Sequence, residues 1–261
     1  MLDRFMDTTA YDKDFFSLVS NESLPSARIV VPLVMELLRP SSVVDVGCGL
    51  GAWLRAFRDN GVDVICGIDG DYINEADLLI EHNSFIAADL TRPFIIEGKY
   101  DLAVCIEVAE HLPATHADAL IAQLTDAAPA VLFSAAIPGQ GGINHVNEQW
   151  PEYWRDLFAR HGFMMVDAFR PHIRSNPRVA YYIRQNLALF LNHDAALNSS
   201  AAFTQQIEKA GSTDGEWVYV ELYQRLFGQA TAQPGLRQII RELPAAIERS
   251  IRRRVKRNRF S

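Results

Sequence analysis

Three glycines stand at alternate positions in Asp45-Val46-Gly47-Cys48-Gly49-Leu50-Gly51, between a β-branched run and a helix-like stretch. Glycine has no Cβ and takes up positive φ without strain, so such a turn lets backbone N–H groups approach a ligand closely. The run before it, Ser42-Val43-Val44, reads as a strand. After it, Trp53, Leu54 and Phe57 fall on one helical face and Gly61 supplies a stop. Strand, glycine turn and helix together open a βαβ unit, which commits the chain to an α/β fold.

The same alternation continues to about Leu191. The runs SVVDVG, VDVICGID, SFIAAD, YDLAVCIE and AVLFSAAI read as strands, apolar enough to be buried on both faces of a parallel sheet. Thr115 and Asp118 open a helix carrying Leu120, Ile121 and Leu124, and a further helix is expected from Trp154 to His161. FMMVDAF and QNLALFL are expected to form an antiparallel pair at the sheet edge. The spacing also predicts an amphipathic helix over 26–38 in spite of Pro32. The expected architecture is a doubly wound, mostly parallel sheet over 41–191. An N-terminal helical segment (1–40) precedes it and a C-terminal helical extension (192–261) follows.

Charge and hydropathy limit the partners. With 25 Lys and Arg against 32 Asp and Glu, the net charge of -7 argues against a general nucleic-acid binder. The end of the chain is the exception: RSIRRRVKRNRFS carries seven basic residues and no acid. With Ile251, Val255 and Phe260 interleaved, it reads either as a solvated face or as an arm for peripheral contact with an anionic membrane. Apolar runs such as AVLFSAAI fall far short of the roughly 20 residues of a membrane-spanning helix, and the N-terminus is charged, so a cytoplasmic protein is expected. Cys48, Cys66 and Cys105 have no metal-ligand spacing and are expected as reduced thiols.

Taken alone, the glycine turn also fits the dinucleotide fingerprint of nicotinamide enzymes. Three acids argue for a different ligand. Asp45 lies inside the first strand, where a carboxylate can serve a cationic amino-acid group; Asp69 ends the second strand, where it can accept from ribose hydroxyls; Asp89 follows the third, near the place of an adenine amino group. In that order, VVDVGCGLGAW, GID, AADL and YDLAVCIEVAEHL resemble the class I S-adenosylmethionine-dependent methyltransferases over residues 42–191. The resemblance implies a Rossmann-like methyltransferase fold with S-adenosylmethionine as cofactor. It places Asp45, Gly47, Gly49 and Gly51 on the methionine side, Asp69 at the ribose, Asp89 with Leu90 at the adenine, and Glu107 facing the cofactor loop.

A second constellation follows the fourth strand. Glu107, Glu110 and His111 share a face if they start a helical turn, and His145 after the fifth strand reaches the same end of the sheet. Two carboxylates and two imidazoles can hold a divalent metal such as Mg²⁺ or Mn²⁺. Alternatively His111 or His145 acts as a general base, with Glu107 beside it. The E-x-x-E-H run resembles metal-dependent ubiquinone-biosynthesis O-methyltransferases, and the later histidine resembles metal-dependent small-RNA terminal 2′-O-methyltransferases. Both chemistries stay open.

Between strand and helix, PGQGGINHVNEQWPEYW offers Asn144, Asn147, Glu148 and Gln149 for hydrogen bonding and Trp150, Tyr153 and Trp154 for stacking. This mixture suits a sugar, glycan or other small polyhydroxylated acceptor, although Trp154 and Phe158 fit a buried helix face better. The IPGQGG and HVNEQWP segments are similar to methyltransferases of bacterial surface-polysaccharide and natural-product pathways. The expected function is therefore O-methylation of such an acceptor. An RNA 2′-O-methyltransferase and a non-catalytic S-adenosylmethionine-binding scaffold are the alternatives.

Overall fold

The computed structural model describes residues 13–92 and 94–192, with side chains from residue 22 onward. All of them lie in the first of the chain's two units, Met1–Ser212. The basic tail and the expected extension beyond residue 192 lie outside the described residues.

Strands β1 (Ser42–Val46), β2 (Val64–Asp69), β3 (Phe85–Ala87), β4 (Leu102–Ile106), β5 (Ala130–Ser134), β6 (Phe163–Val166) and β7 (Ala188–Asn192) form one sheet in the order β3-β2-β1-β4-β5-β7-β6. Every pairing is parallel except those of β7, which runs antiparallel to both β5 and β6. The doubly wound sheet with an antiparallel edge pair is as the sequence predicts. β1 and β4 are neighbours, with Asp45 opposite Val104, so the glycine turn and the residues after β4 leave the sheet side by side.

Strand side chains alternate with period two between two cores. Val43, Leu102, Val104, Leu132 and Leu189 enter one, with Val30, Val34, Leu54 and Phe57 from helices α1 (Lys13–Leu37) and α2 (Ala52–Asp59). Val44, Ala103, Cys105, Phe133 and Phe190 enter the other, with Ile121 and Leu124 of α3 (Ala114–Ala127) and Trp154 and Phe158 of α4 (Pro151–Arg160). Trp154 and Phe158 are thus core residues. Two short helices, α5 (Arg170–Ile173) and α6 (Tyr181–Asn186), lead into β7.

Three helix boundaries differ from expectation. α4 starts at Pro151 rather than Trp154, with proline in its first turn, where the missing N–H has no helical partner to lose. α1 runs through both Pro25 and Pro32 rather than spanning 26–38. Its buried stripe Ala27, Val30, Val31 and Val34 recurs at helical spacing, and that burial carries the helix past the amide each proline lacks. α3 starts at Ala114, directly after Pro113, rather than at a Thr115 cap, and no side chain caps its N-terminus. Among the described residues no helix is long and apolar enough to cross a membrane.

Candidate active site

At the carboxyl ends of β1 and β2 the glycine turn is tied down through its backbone: the N–H groups of Gly47 and Cys48 both donate to the Ile68 carbonyl, at 2.8 and 3.2 Å. Gly47, Gly49 and Gly51 all have positive φ. Gly47 has a second reason to be glycine, since a Cβ there would stand 2.2 Å from a methyl of Val108. The turn therefore leans directly on the residue that follows Glu107.

Asp45 is 1% exposed, and its Oδ2 has no hydrogen-bond partner. Burial, and then the charge of Asp69, pushes its carboxyl well above the usual range. A folded-state pKa above the unfolded value means that the folded protein keeps a proton the unfolded chain releases, so stability is lost as pH rises. We therefore expect the melting temperature of the cofactor-free protein to fall as pH climbs out of the ordinary carboxylate range towards neutrality. Asp45→Asn should flatten that slope. Identical slopes for the two proteins, in thermal melts at a series of pH values, would refute the orphaned carboxyl as its source.

Asp69 ends β2 as expected. Its Oδ2 accepts from the Gly49 N–H at 2.6 Å, and its Oδ1 accepts from the Gly70 N–H at 2.7 Å and the Tyr72 hydroxyl at 2.5 Å. Burial raises its carboxyl, and these donors, Tyr72 foremost, offset part of the rise. Asp89 is exposed and lies beyond the short β3. Its carboxylate caps the Thr91 N–H and hydroxyl and pairs with Arg92, while Leu90 packs on the core.

After β4 the chain makes a single 3₁₀ turn, Ala109–His111. One ligand atom from each of Glu110, His111 and His145 comes within 4.8 Å of the others. The backbone creates this meeting: the N–H groups of Val146 and Asn147 donate to the Glu110 carbonyl at 2.9 and 3.0 Å, docking the His145 loop on the turn. The two imidazoles sit edge to face, centroids 4.8 Å apart. Glu110 is fully buried and neither carboxylate oxygen has a hydrogen bond of ordinary geometry. Burial and the neighbouring Glu107 charge push it well above the usual carboxyl range; nearby N–H groups of Glu110 and Ala136 offset this only in part. Burial, then His145, pushes His111 down to about 4, against the carbonyls of Asn144 and Ile143 that accept from its ring. The ring is therefore neutral at physiological pH.

Glu107 is placed differently from the expected ligand set. Its φ of 55° is unusual for a residue with a side chain. Its carboxylate accepts from Gln140 Nε2 at 2.8 Å and Asn186 Nδ2 at 3.0 Å, and Asn186 also donates to the Gln140 oxygen. Two amides thus satisfy Glu107, and the metal-type group contains the other three residues. Gln140, Asn186 and Tyr72 had no sequence signal pointing to the site.

The acceptor segment also differs. Asn147 is 3% exposed and Gln149 donates to its side-chain oxygen, while Glu148 accepts from Gly139, Gly141 and His145. A loop that crosses a buried cluster has to satisfy its own polar groups, so these side chains hold the loop together rather than waiting for an acceptor.

Residues 23–170 match the profile of a family described as "Methyltransferase domain". The chain belongs to this family. Those residues form a methyltransferase domain of the class I, S-adenosylmethionine-dependent type. The methyltransferase is similar in fold to a candidate O-methyltransferase from Nostoc punctiforme PCC 73102, at 15% identity and a TM-score of 0.51 over 68% of this chain and 59% of the other. It is also similar to an O-methyltransferase family protein from Burkholderia thailandensis, at 15% identity and a TM-score of 0.50 over 72% and 61%. TnmH matches at 14% identity and a TM-score of 0.50 over 71% and 58%. The methyltransferase thus spans less than two thirds of the length of each of these structures. No curated protein sequence matches it.

Proposed function

We propose that the methyltransferase transfers the methyl group to a hydroxyl of a sugar, glycan or other small polyhydroxylated acceptor. The observation that carries this reading is the convergence of Glu110, His111 and His145 beside the glycine turn. S-adenosylmethionine, when bound, supplies a methyl group activated on a sulfonium. The chain must orient that methyl against the acceptor and dispose of the acceptor's proton.

Asp45, with an unpartnered buried oxygen beneath the turn, fits the cationic amino-acid end of the cofactor; Asp69 fits the ribose hydroxyls, and Leu90 with Asp89 the adenine. An alcohol keeps its proton at neutral pH, so it needs a base or a cation near its oxygen. The three clustered residues fit a divalent metal such as Mg²⁺ or Mn²⁺, because a buried carboxylate that makes no hydrogen bond of ordinary geometry is stable only with a cation or a proton beside it. Such an ion would lower the pKa of the hydroxyl. Without one, a histidine takes the proton directly. Glu107, held by its amide pair, lies beside Glu110 and His145.

The ribose 2′-hydroxyl of an RNA end poses the same chemical problem, and the net charge of -7 favours the sugar reading over it. A cofactor-turnover assay over glycosides, polyols, amines and short RNA, with and without chelator, tests both. Turnover of hydroxyl acceptors that is nearly independent of salt is expected. Turnover of RNA that collapses between about 50 and 200 mM salt would replace the glycan reading, since phosphate contacts weaken steeply with salt. Turnover confined to amines would overturn both.

A further inference from the structure

The structure assigns Glu148 as the positioning residue for His145: it decides which ring nitrogen is offered to Glu110 and His111. This inference rests on the clustered residues being the place where the acceptor hydroxyl loses its proton, and it adds how the cluster's one loop-borne member is aimed.

Three hydrogen bonds converge on the Glu148 carboxylate. Oε2 accepts from the Gly139 N–H at 2.7 Å, and Oε1 accepts from the Gly141 N–H at 2.8 Å and lies 3.0 Å from His145 Nδ1. Gly139 and Gly141 both have positive φ, so the loop curls its backbone donors around the carboxylate. A carboxylate engaged at both oxygens by backbone N–H groups acts as an acceptor, so the proton between it and the imidazole belongs on Nδ1. In the neutral ring the lone pair then sits on Nε2.

The opposite side of the ring is fixed by packing. Gly142 lies so close that a Cβ on it would be 2.2 Å from Nε2, and the edge-to-face contact with His111 limits rotation further. Both histidine and carboxylate are largely shielded, with side chains 11% and 20% exposed. Glu148 thus does for His145 what second-layer carboxylates do for metal-bound or proton-accepting histidines: it sets the tautomer and the ring orientation. The role is the same whether His145 holds a cation or accepts a proton.

The test is ¹⁵N NMR of the full chain labelled at histidine, in chelator, with the His145 signals assigned by their loss in His145→Gln. Neutral His145 in the wild-type protein should be protonated at Nδ1. Glu148→Ala should give a tautomer mixture and lower kcat about 10- to 100-fold without changing the affinity for S-adenosylhomocysteine. Glu148→Gln, whose amide oxygen can still accept from Nδ1, should keep the single tautomer and much of the turnover. A wild-type spectrum showing the Nε2–H tautomer overturns the proposal even if Glu148→Ala does not fold. So does a Glu148→Ala protein with unchanged tautomer and kcat. Full turnover by His145→Ala would instead remove the catalytic reading of the cluster, while the spectra would still decide whether Glu148 aims the ring.

Discussion

Alanine in place of His145 is expected to lower methyl transfer by about 10²- to 10⁴-fold, the range typical for loss of a positioned proton acceptor, with little change in cofactor affinity. The separation is geometric. The groups that fit the cofactor lie at the end of β1, on the turn after it and at the ends of β2 and β3, whereas His145 stands on the loop after β5, which docks on the Glu110 carbonyl through the Val146 and Asn147 N–H groups. The companion variants tell the two chemistries apart. If the cluster holds a cation, chelator abolishes turnover, Mg²⁺ or Mn²⁺ restores it, and Glu110→Ala matches His145→Ala, because neither oxygen of the buried carboxylate makes a hydrogen bond of ordinary geometry within the protein. If an imidazole works alone, chelator has no effect and a single histidine variant stands out. Steady-state rates paired with S-adenosylhomocysteine calorimetry measure both. Should alanine at each of Glu107, Glu110, His111 and His145 leave turnover intact in chelator, the cluster is architectural and the proposed chemistry is wrong.

The largest effect on folding is expected at Gly47. Replacing it with alanine puts a Cβ at φ +77° and 2.2 Å from Val108 Cγ2, with Cγ1 at 2.8 Å. Left-handed backbone costs an alanine roughly 1–2 kcal/mol. Forcing a methyl into a packed site costs roughly 1–3 kcal/mol more. The sum is a substantial share of the ~5–15 kcal/mol that holds a domain together. Gly49→Ala is the internal control: its φ is +53°, but nothing lies within 4 Å of the added Cβ, so only the backbone contribution applies. Thermal melts should therefore place Gly47→Ala well below Gly49→Ala. Adding Val108→Ala to Gly47→Ala should recover the packing part, and cofactor binding with it. If the two glycine variants melt alike, the turn does not lean on Val108.

What could be read in the sequence was what repeats locally or sits at a strand end. The glycine turn, the acids Asp45 and Asp69, the run Glu107, Glu110, His111 and the antiparallel partnership of the last two strands all follow from short-range pattern. Glu148 was visible only as a hydrogen-bonding residue, because its three partners depend on a loop conformation set by Gly139 and Gly141. The amide clamp on Glu107 had no sequence trace: Gln140 and Asn186 are 33 and 79 residues from it along the chain, and nothing local makes either one more than a polar residue. Glu107 itself was expected in the metal set by its spacing. Its positive φ, a backbone state that spacing does not encode, accompanies a carboxylate engaged by that clamp instead.

The insertion of β7 between β5 and β6 also sets an order of assembly. β6 has no partner but β7 among the described strands, and β7 comes last of them in the chain. The stacking of Phe158 on Phe190, 3.8 Å between centroids, waits for the same segment. As the chain leaves the ribosome, β1, β2, β4 and β5 can pair as they appear, but β5 keeps an open, apolar edge until residues 188–192 emerge. A nascent chain stalled just short of Ala188 therefore presents the kind of unpaired edge that invites strand-to-strand aggregation, and it is there that a chaperone would be needed most.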